Sequence, residues 1–596
     1  MESISFHKHW GAEFIAADTV RFRVWAEGQK TMTLSLKTRD IAMEAAGGGW
    51  FQIDVSGVKH GDEYMLLLAD GRRIPDPATR AQRDDVNGPS VVIDPRLFQP
   101  VNRVWKGRPW EETVIYELHP GTFTPEGTFL AAIDKLPYLA ELGITQVEIM
   151  PVAQFGGSRG WGYDGVLLYV SPHAAYGAPG DFHAFIDAAH GLGLSVVLDI
   201  VLNHFGPEGN YLSLLSPGFF HQNRMTPWGN AIAYETEAVR QYITEAPLFW
   251  LTEYHLDGLR FDAIDQIEDR SARHVLIEIA ENIRKAIPDR HIHLTTEDSR
   301  NVIFLHPRDE DGQTPLFTAE WNDDFHNAAH VFATGETHAY YQDFAHQPAS
   351  KLARALAEGF VYQGELSAQT GKPRGVACAA QPPQFFVDFI QNHDQTGNRA
   401  QGERLISLAG AGKTRVLLAA LLLSPHIPLL FMGEEFGESN PFLFFTDFQG
   451  SLAKAVREGR AKEFAGHAGH DKPVPDPNDP LTFIRSKLDW QKAASEEGKS
   501  WLRFTRNLIL LRHRYIVPLL AEGGGVEGKI LHTEPQALAV SWQFAGGTLS
   551  VALNIGEEPL ALPEIPGEVI FSWPEQQEAL TPDSIVVRFA HGEASV

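Results

Sequence analysis

Between residues 114 and 431, short apolar runs bounded by turn residues alternate with amphipathic helical stretches, the pattern of parallel β/α units. The runs cover 114–118, 146–150, 195–202, 258–262, 293–297, 316–320, 385–390 and 428–431. Eight such units predict an eight-stranded β/α (TIM) barrel, whose chemistry sits at the C-terminal ends of its strands. Thr128 caps a helix with the stripe Phe129, Ala132, Ile133, Leu136 and Leu139, ending at Gly143. Asp181 caps a second, ending near Gly191, and Ser271 opens a third that Pro288 stops.

The flanks read differently. Val20, Phe22 and Val24 alternate with Arg21 and Arg23, and a run over 64–69 stops at the turn pair Asp70-Gly71. No helix is predicted before residue 100. Near the other end, Leu538, Val540, Trp542 and Phe544 lead through Gly546-Gly547 into Leu549, Val551 and Leu553, a hairpin of a second β-domain. The expected organisation is an N-terminal β-sandwich over 1–100, a barrel over 101–517 and a C-terminal β-domain over 518–596. The stretch 459–480, rich in Gly, His, Asp and Pro, is expected to be a long loop.

Composition narrows the partners. Lys and Arg number 50 against 76 Asp and Glu, a net charge of −26, which disfavours nucleic acid and anionic lipid. The single cysteine, Cys378, excludes an intrachain disulfide and a thiolate-rich metal site, and reads as a buried or idle thiol. The first residues carry no apolar core of a signal peptide, and the longest apolar run, 416–423, is too short to cross a bilayer. The sequence therefore predicts a cytoplasmic protein.

If the barrel forms, polar residues should cluster where strands end, and they do. The third run leads from Asp199 into Asn203-His204, the fourth ends Arg260-Phe261-Asp262, the fifth ends Glu297-Asp298, and the seventh leads into Asn392-His393-Asp394. Carboxylates on separate strand tips can converge over one barrel mouth, as glycoside chemistry requires. Structural ion pairs also occur at strand ends, but four coincident polar tips favour a site.

These segments resemble the four ordered signature segments of the α-amylase superfamily, and Gly162-Tyr163-Asp164-Gly165 is similar to its aromatic platform segment. The resemblance covers nearly the whole chain. It implies Asp262 as nucleophile, Glu297 as general acid/base and Asp394 as transition-state stabiliser. Arg260 would keep the nucleophile ionised, His204 and His393 would hydrogen-bond the sugar being cleaved, and Tyr163 would stack beneath it. An arginine two residues before a carboxylate on one strand faces the same side and lowers its pKa. Glu297 has no basic residue that close on its strand and is expected to stay protonated. A retaining mechanism predicts the Asp262 and Glu297 carboxyls roughly 5–5.5 Å apart.

Within the superfamily, Tyr116-Glu117-Leu118-His119-Pro120, Asn322-Asp323-Asp324-Phe325-His326 and Gly459-Arg460-Ala461-Lys462-Glu463-Phe464 resemble the branch that hydrolyses trehalose-capped maltooligosaccharides. That resemblance implies release of trehalose and a maltooligosaccharide, and a partner synthase that caps the glucan (maltooligosyltrehalose synthase). Further sugar contacts are implied at Asp265, Asp323, Asp324, His326, Gln395 and Asn398, and Trp228 is expected near the mouth. Ala263-Ile264-Asp265-Gln266 lacks the Lys-His pair that many amylases carry after the nucleophile, so the leaving side is built differently. Asn327 stands where relatives often have a second His. The insertion over 205–234 is too short for an amylase-like calcium cage, so no metal or other cofactor is expected.

Gly410-Ala411-Gly412-Lys413-Thr414 looks like half a phosphate-binding loop, but lacks the first glycine and a preceding strand. His467, His470 and Asp471 read as loop residues rather than metal ligands. The aromatic run 442–448 fits either packing or sugar subsites, and Trp501 and Trp542 read as packing. Three activities remain open: the trehalose-releasing hydrolase, a transglycosylase such as an α-1,4-glucan branching enzyme, and a non-catalytic glucan-binding protein.

Overall fold

The computed structural model describes residues 8–592 apart from 38, 103, 172, 310–311, 465–472, 524–525, 562 and 576–578. His467, His470 and Asp471 lie outside the described residues.

The apolar runs form a closed parallel barrel. Its strands are β1 (Ile115–Leu118), β2 (Gln146–Ile149), β3 (Ser195–Ile200), β4 (Gly258–Phe261), β5 (His293–Thr296), β6 (Ala319–Trp321), β7 (Phe386–Phe389) and β8 (Ile427–Phe431). Each is buried along its whole length, because helices cover the outside while side chains fill the bore. β8 pairs back onto β1, with Leu429 beside Ile115, which closes the ring.

Helix boundaries follow local chemistry and correct four readings. Thr128 does cap a helix, accepting from the Ala131 N–H, but the segment splits into α1 (Phe129–Ile133) and α2 (Leu136–Leu142). Pro137 enters the first turn of α2 without an N–H to continue the earlier ladder. Asp181 sits inside α3 (Pro179–Gly191) and reaches back to the Ala178 N–H at 2.8 Å. Ser271 does not open the next helix: α4 (Val275–Ala286) starts at His274, because Asp269 takes the Ser271 and Val275 N–H groups into a turn. Three more helices matter for the site: α5 (Asp323–Thr334), α6 (His393–Gly397) and α7 (Gly450–Glu463). The last of these corrects the expected loop, since Gly459–Glu463 closes a helix built from strong helix formers.

The N-terminal region forms two antiparallel sheets. One orders Gly11–Phe14, Thr19–Trp25, Trp50–Ser56 and Glu44–Gly47, and the other centres on Met32–Leu36 and Glu63–Leu68. Val20, Phe22 and Val24 face the core between them. The sandwich is fastened to the barrel's flank, where Trp10 Nε1 donates to the Ala238 carbonyl at 3.0 Å. The C-terminal region is a five-stranded antiparallel sheet, docked through Trp542 Nε1 onto the Leu356 carbonyl at 2.9 Å. Trp501 and Trp542 are fully buried packing residues. Cys378 is buried too, and burial pushes its thiol up to about 12. A helix rather than a strand (Leu405–Ala409) precedes Gly410, so the glycine-rich segment has no phosphate-loop geometry.

Candidate active site

Register decides what meets at the barrel mouth. Asp199 on β3 lies beside Arg260 on β4, which lies beside Thr295 on β5. Side chains alternate along a strand, so Asp262 shares the face of Arg260, and Glu297 that of Thr295. The Arg260 guanidinium thus serves three carboxylates: Nη1 donates to Asp199 Oδ2 at 2.7 Å and Asp262 Oδ1 at 3.0 Å, and Nη2 to Glu297 Oε2 at 2.6 Å. It is only 1% exposed, its plane resting 4.2 Å from the centre of the Trp321 ring. A planar fork suits this bridging; a point charge would not reach all three with the same geometry.

Asp262 is held on both oxygens, since Asn203 Nδ2 donates to Oδ2 at 3.0 Å and also to the Asp262 carbonyl at 2.8 Å. The next residue, Ala263, takes the left-handed conformation (φ 40°) and aims its N–H at Glu297 Oε2, 3.1 Å away. That backbone costs on the order of 1–2 kcal/mol in a residue with a Cβ. Glu297 Oε1 has no hydrogen-bond partner among the described residues, and the side chain is 21% exposed, open to the cleft. Burial pushes the Glu297 carboxyl well above the usual range; Arg260 opposes the shift, and the negative charges of Asp262, Asp323 and Asp394 add to it. Burial thus favours the protonated form of Glu297, and the sequence argument for it needs correcting. A basic group does touch it, arriving from the neighbouring strand.

Asp394 stands in the first turn of α6, whose Asn392 cap accepts the Gln395 N–H at 2.8 Å. Asn398, one turn on, donates to Asp394 Oδ1 at 2.6 Å. Burial raises the Asp394 carboxyl, against the pull of His393 and Arg260. Tyr163 donates its hydroxyl to Asp199 Oδ2 at 2.6 Å, and its ring stacks on His393 with centroids 5.1 Å apart. His393 is pinned on both nitrogens, by Glu117 Oε1 at 2.5 Å and the Tyr163 hydroxyl at 2.7 Å. Because the Tyr163 proton goes to Asp199, both His393 nitrogens act as donors. Burial lowers its pKa most, but the charge and hydrogen bond of Glu117 together with the charge of Asp394 outweigh this, and the ring is held above its usual value.

His204 meets the Asn203 side chain through Nδ1 and the Tyr163 carbonyl through Nε2 at 2.9 Å. Trp228, on the turn of a small hairpin, lies flat on its ring, 4.3 Å between centroids and 8° between planes, and keeps 47% of its surface exposed. Asp323 faces Asp394, and burial with that neighbour pushes its carboxyl up to about 6. Gln395 bridges Asp323 and Tyr340, at 3.3 and 3.2 Å. Asp265 lies further out, on the turn after the Asp262 strand.

His204 and His393 were expected to hydrogen-bond the sugar, but both ring nitrogens of each are bonded within the protein. Two further expected sugar contacts do not face the cleft. Asp324 is fully buried: its Oδ2 accepts from Asn301 Nδ2 at 2.8 Å and from the Val361 and Tyr362 N–H groups at 2.8 and 2.9 Å, while Arg374 pairs with Oδ1 at 2.8 Å. His326 is 2% exposed and spends Nδ1 on the Ile390 carbonyl at 3.0 Å. Successive helix residues turn by about 100°, so only Asp323 of this trio points to the mouth. In the aromatic run, Phe442 and Phe445 are core, and the half-buried Phe444 carries the Arg460 guanidinium 5.3 Å above its ring.

Sequence reasoning missed Glu117, Asn203 as a clamp on Asp262, Trp321 and Arg460. Glu117 was visible as a lone carboxylate inside an apolar barrel strand. Arg460 of α7 donates to the Gly397 carbonyl at 2.8 Å and reaches Asn398 Oδ1 at 3.5 Å, a contact across more than sixty residues that no local pattern marks. Among the described residues, no group of three or more His, Cys, Asp or Glu side chains is arranged to hold a metal ion.

A parallel barrel with acidic side chains from separate strand tips around one buried arginine has the architecture of a barrel glycosidase. The family model described as the alpha amylase catalytic domain matches residues 91–214 and 220–508, and a domain of unknown function matches 529–587. The chain belongs to the α-amylase family of glycoside hydrolases. It is 42% identical to the malto-oligosyltrehalose trehalohydrolase of Deinococcus radiodurans, over 83% of this chain and 80% of that protein. Against the enzyme of the same name from Saccharolobus solfataricus the identity is 41%, over 84% and 86%. A crystal structure from Salmonella typhimurium, provisionally described as an alpha amylase, superposes with a TM-score of 0.96 at 68% identity, covering 98% of this chain and all of that one. Within the family the chain groups with the malto-oligosyltrehalose trehalohydrolases.

Proposed function

We propose that this glycoside hydrolase cleaves the α-1,4-glucosidic bond next to the terminal trehalose of maltooligosyltrehalose, releasing trehalose and a maltooligosaccharide. Asp262 attacks the anomeric carbon, Glu297 protonates the leaving oxygen, and Asp394 faces the oxocarbenium-like state. Glu297 then takes a proton from the water that frees the sugar, so configuration is retained. The observation that carries this reading is the single guanidinium bonded to both Asp262 and Glu297, while Glu297 keeps one free oxygen and a raised pKa. Tyr163, His204 and Trp228 wall the subsite of the sugar being cleaved. The substrate comes from a maltooligosyltrehalose synthase, and both enzymes work in the cytoplasm. The catalytic unit spans 101–517, between the sandwich of 1–100 and the β-domain of 518–596.

The test is a product assay on maltooligosyltrehalose, plain maltooligosaccharide and amylose, with Asp262→Asn as control. The expected result is fast trehalose release from the first, lost in the variant, with the newly formed reducing end appearing as the α-anomer. Branched glucan from amylose would make this a branching enzyme, and no reaction on any of the three would leave a glucan-binding protein.

A further inference from the structure

Two glutamates stand side by side on the inner face of the barrel. Glu117 on β1 lies in register beside Glu148 on β2, and each is only 1% exposed. Neighbouring strands run about 4.8 Å apart, so two negative charges there would repel strongly. Their surroundings set them apart. Glu117 accepts two N–H groups of His393, the backbone one on Oε2 at 3.0 Å and Nδ1 on Oε1 at 2.5 Å. Neither oxygen of Glu148 has a hydrogen-bond partner among the described residues. Burial pushes the Glu148 carboxyl well above the usual range, and the charges of Glu117 and Asp199 add to the shift. One carboxyl of the pair is thus an anion and the other a neutral acid.

From Glu117 a line of hydrogen bonds crosses the barrel mouth. His393 Nε2 meets the Tyr163 hydroxyl at 2.7 Å, that hydroxyl donates to Asp199 Oδ2 at 2.6 Å, and Arg260 Nη1 donates to the same oxygen at 2.7 Å. Because the Tyr163 proton is spent on Asp199, the Tyr163 oxygen accepts from His393 Nε2. The bond on the other side of the ring holds one proton, which rests either on Nδ1 or on Glu117. Imidazole is the stronger base by about two pKa units, and the backbone N–H on Oε2 favours the carboxylate, so the proton rests on the ring. The remaining charged and titratable neighbours act as follows. Asp394 on α6 and Asp199 on β3 favour the cation, and Arg260 on β4 opposes it. Glu148 on β2 is neutral. So is His119, just after β1, which burial brings down to about 3.

We propose that Glu117 is a positioning residue that keeps His393 an imidazolium and so gives the site a second fixed cation beside Arg260. The proposal rests on the reading of Asp394 as the anion that faces the oxocarbenium-like state, and it says how that anion is kept. Burial raises the Asp394 carboxyl, and the His393 charge is the largest force against the rise. With a neutral ring, Asp394 would take up a proton at higher pH. Asp394 must be ionised to act, so the acid limb of the pH profile would then move upward.

The experiment compares the wild type, Glu117→Gln and Glu148→Gln, with thermal melts as the folding check. Glu117→Gln keeps the shape of the side chain but turns one acceptor into a donor, which fits a neutral ring with a bare Nδ1. NMR on protein carrying isotope-labelled histidine follows the ring, its signal identified by loss in His393→Asn. In the wild type that signal should titrate above the usual histidine value, and in Glu117→Gln below it, because burial then prevails. The acid limb of kcat/KM on maltooligosyltrehalose should move up by about 1–3 units in Glu117→Gln, the range for losing a neighbouring opposite charge, or about tenfold in rate per unit on the slope. Glu148→Gln exchanges a neutral acid for a neutral amide and should leave signal and limb in place. A wild-type ring that titrates below the usual value would overturn the proposal. So would an unmoved limb in folded Glu117→Gln, or a limb displaced by Glu148→Gln. The wild-type titration needs neither variant nor substrate, so it decides the assignment even where Glu117→Gln fails to fold. A wild type that leaves maltooligosyltrehalose intact would overturn the reading of the reaction, not the charge on His393.

Discussion

Replacing Arg260 by Gln removes one side chain and three charge-assisted hydrogen bonds, to Asp199, Asp262 and Glu297. Two of these bear on the reaction. The Asp262 bond aims the attacking carboxylate. The Glu297 bond strengthens as Glu297 gives up its proton and becomes an anion, so it stabilises the transition state more than the ground state. At roughly 1.5–3 kcal/mol for a hydrogen bond to a charged group, the pair amounts to about 3–6 kcal/mol. With about 1.4 kcal/mol per decade, kcat/KM on maltooligosyltrehalose should fall roughly 10²–10⁴-fold. The pH profile moves in a definite direction. Glu297 must be protonated to act, so rate falls as pH rises through its pKa, and Arg260 holds that pKa down against burial. Without the cation the alkaline limb shifts to higher pH even as the maximum collapses. Asp199, pushed up to about 6 by burial, rises further as well. A carboxyl whose folded pKa exceeds its unfolded one weakens the fold as pH climbs above the unfolded value, so the melting deficit of Arg260→Gln should be larger at pH 8 than at pH 5. Residual activity within tenfold of wild type, or an alkaline limb displaced downward, would refute the reasoning.

Three other perturbations separate substrate contact, positioning and scaffold. Trp228→Ala should raise KM by about 2–10-fold, the range of one aromatic contact, with a smaller change in kcat; steady-state kinetics on maltooligosyltrehalose reads the split. Arg460→Met unties Asn398 and Gly397 behind Asp394 and should lower kcat by about tenfold while leaving KM nearly unchanged, and Arg460→Lys should restore part of the loss. Asp324→Asn should cost about 1–3 kcal/mol of stability, because the amide keeps acceptor capacity but loses the Arg374 ion pair; urea unfolding followed by circular dichroism measures it, and kcat of the surviving folded protein should stay close to wild type.

The barrel was readable because each strand is a short apolar run whose end changes abruptly to Asn, Asp, Glu or His, and those changes located Asp262, Glu297 and Asp394 at strand tips. What lay between strands was not readable. Reasoning along the fifth strand found no cation near Glu297, yet Arg260 sits one strand away in register with Thr295. A one-dimensional pattern gives the face of a strand residue, not its lateral neighbour. The rotation of α5 was equally hidden. Asp323, Asp324 and His326 are chemically alike in sequence, and only the docking of the helix decides that Asp323 meets the cleft while the other two are sealed beneath it. The helix at Gly459 was masked by composition: glycine reads as a break, but the residues before it carry enough helical preference to run through.

Asp324 has a further consequence. The chain that enters at Val361 and Tyr362 leaves again at Arg374, and one carboxylate grips both ends. Between them the segment folds back on itself, with the Gly364 N–H on the Arg374 carbonyl at 2.7 Å and the Ser367 N–H on the Lys372 carbonyl at 2.9 Å. A loop clamped at its neck is a cartridge. Exchanging its tip should leave the helix turn from which Asp323 faces Asp394 in place, provided that Ser367 and Gln369, which bind Asp343, are kept.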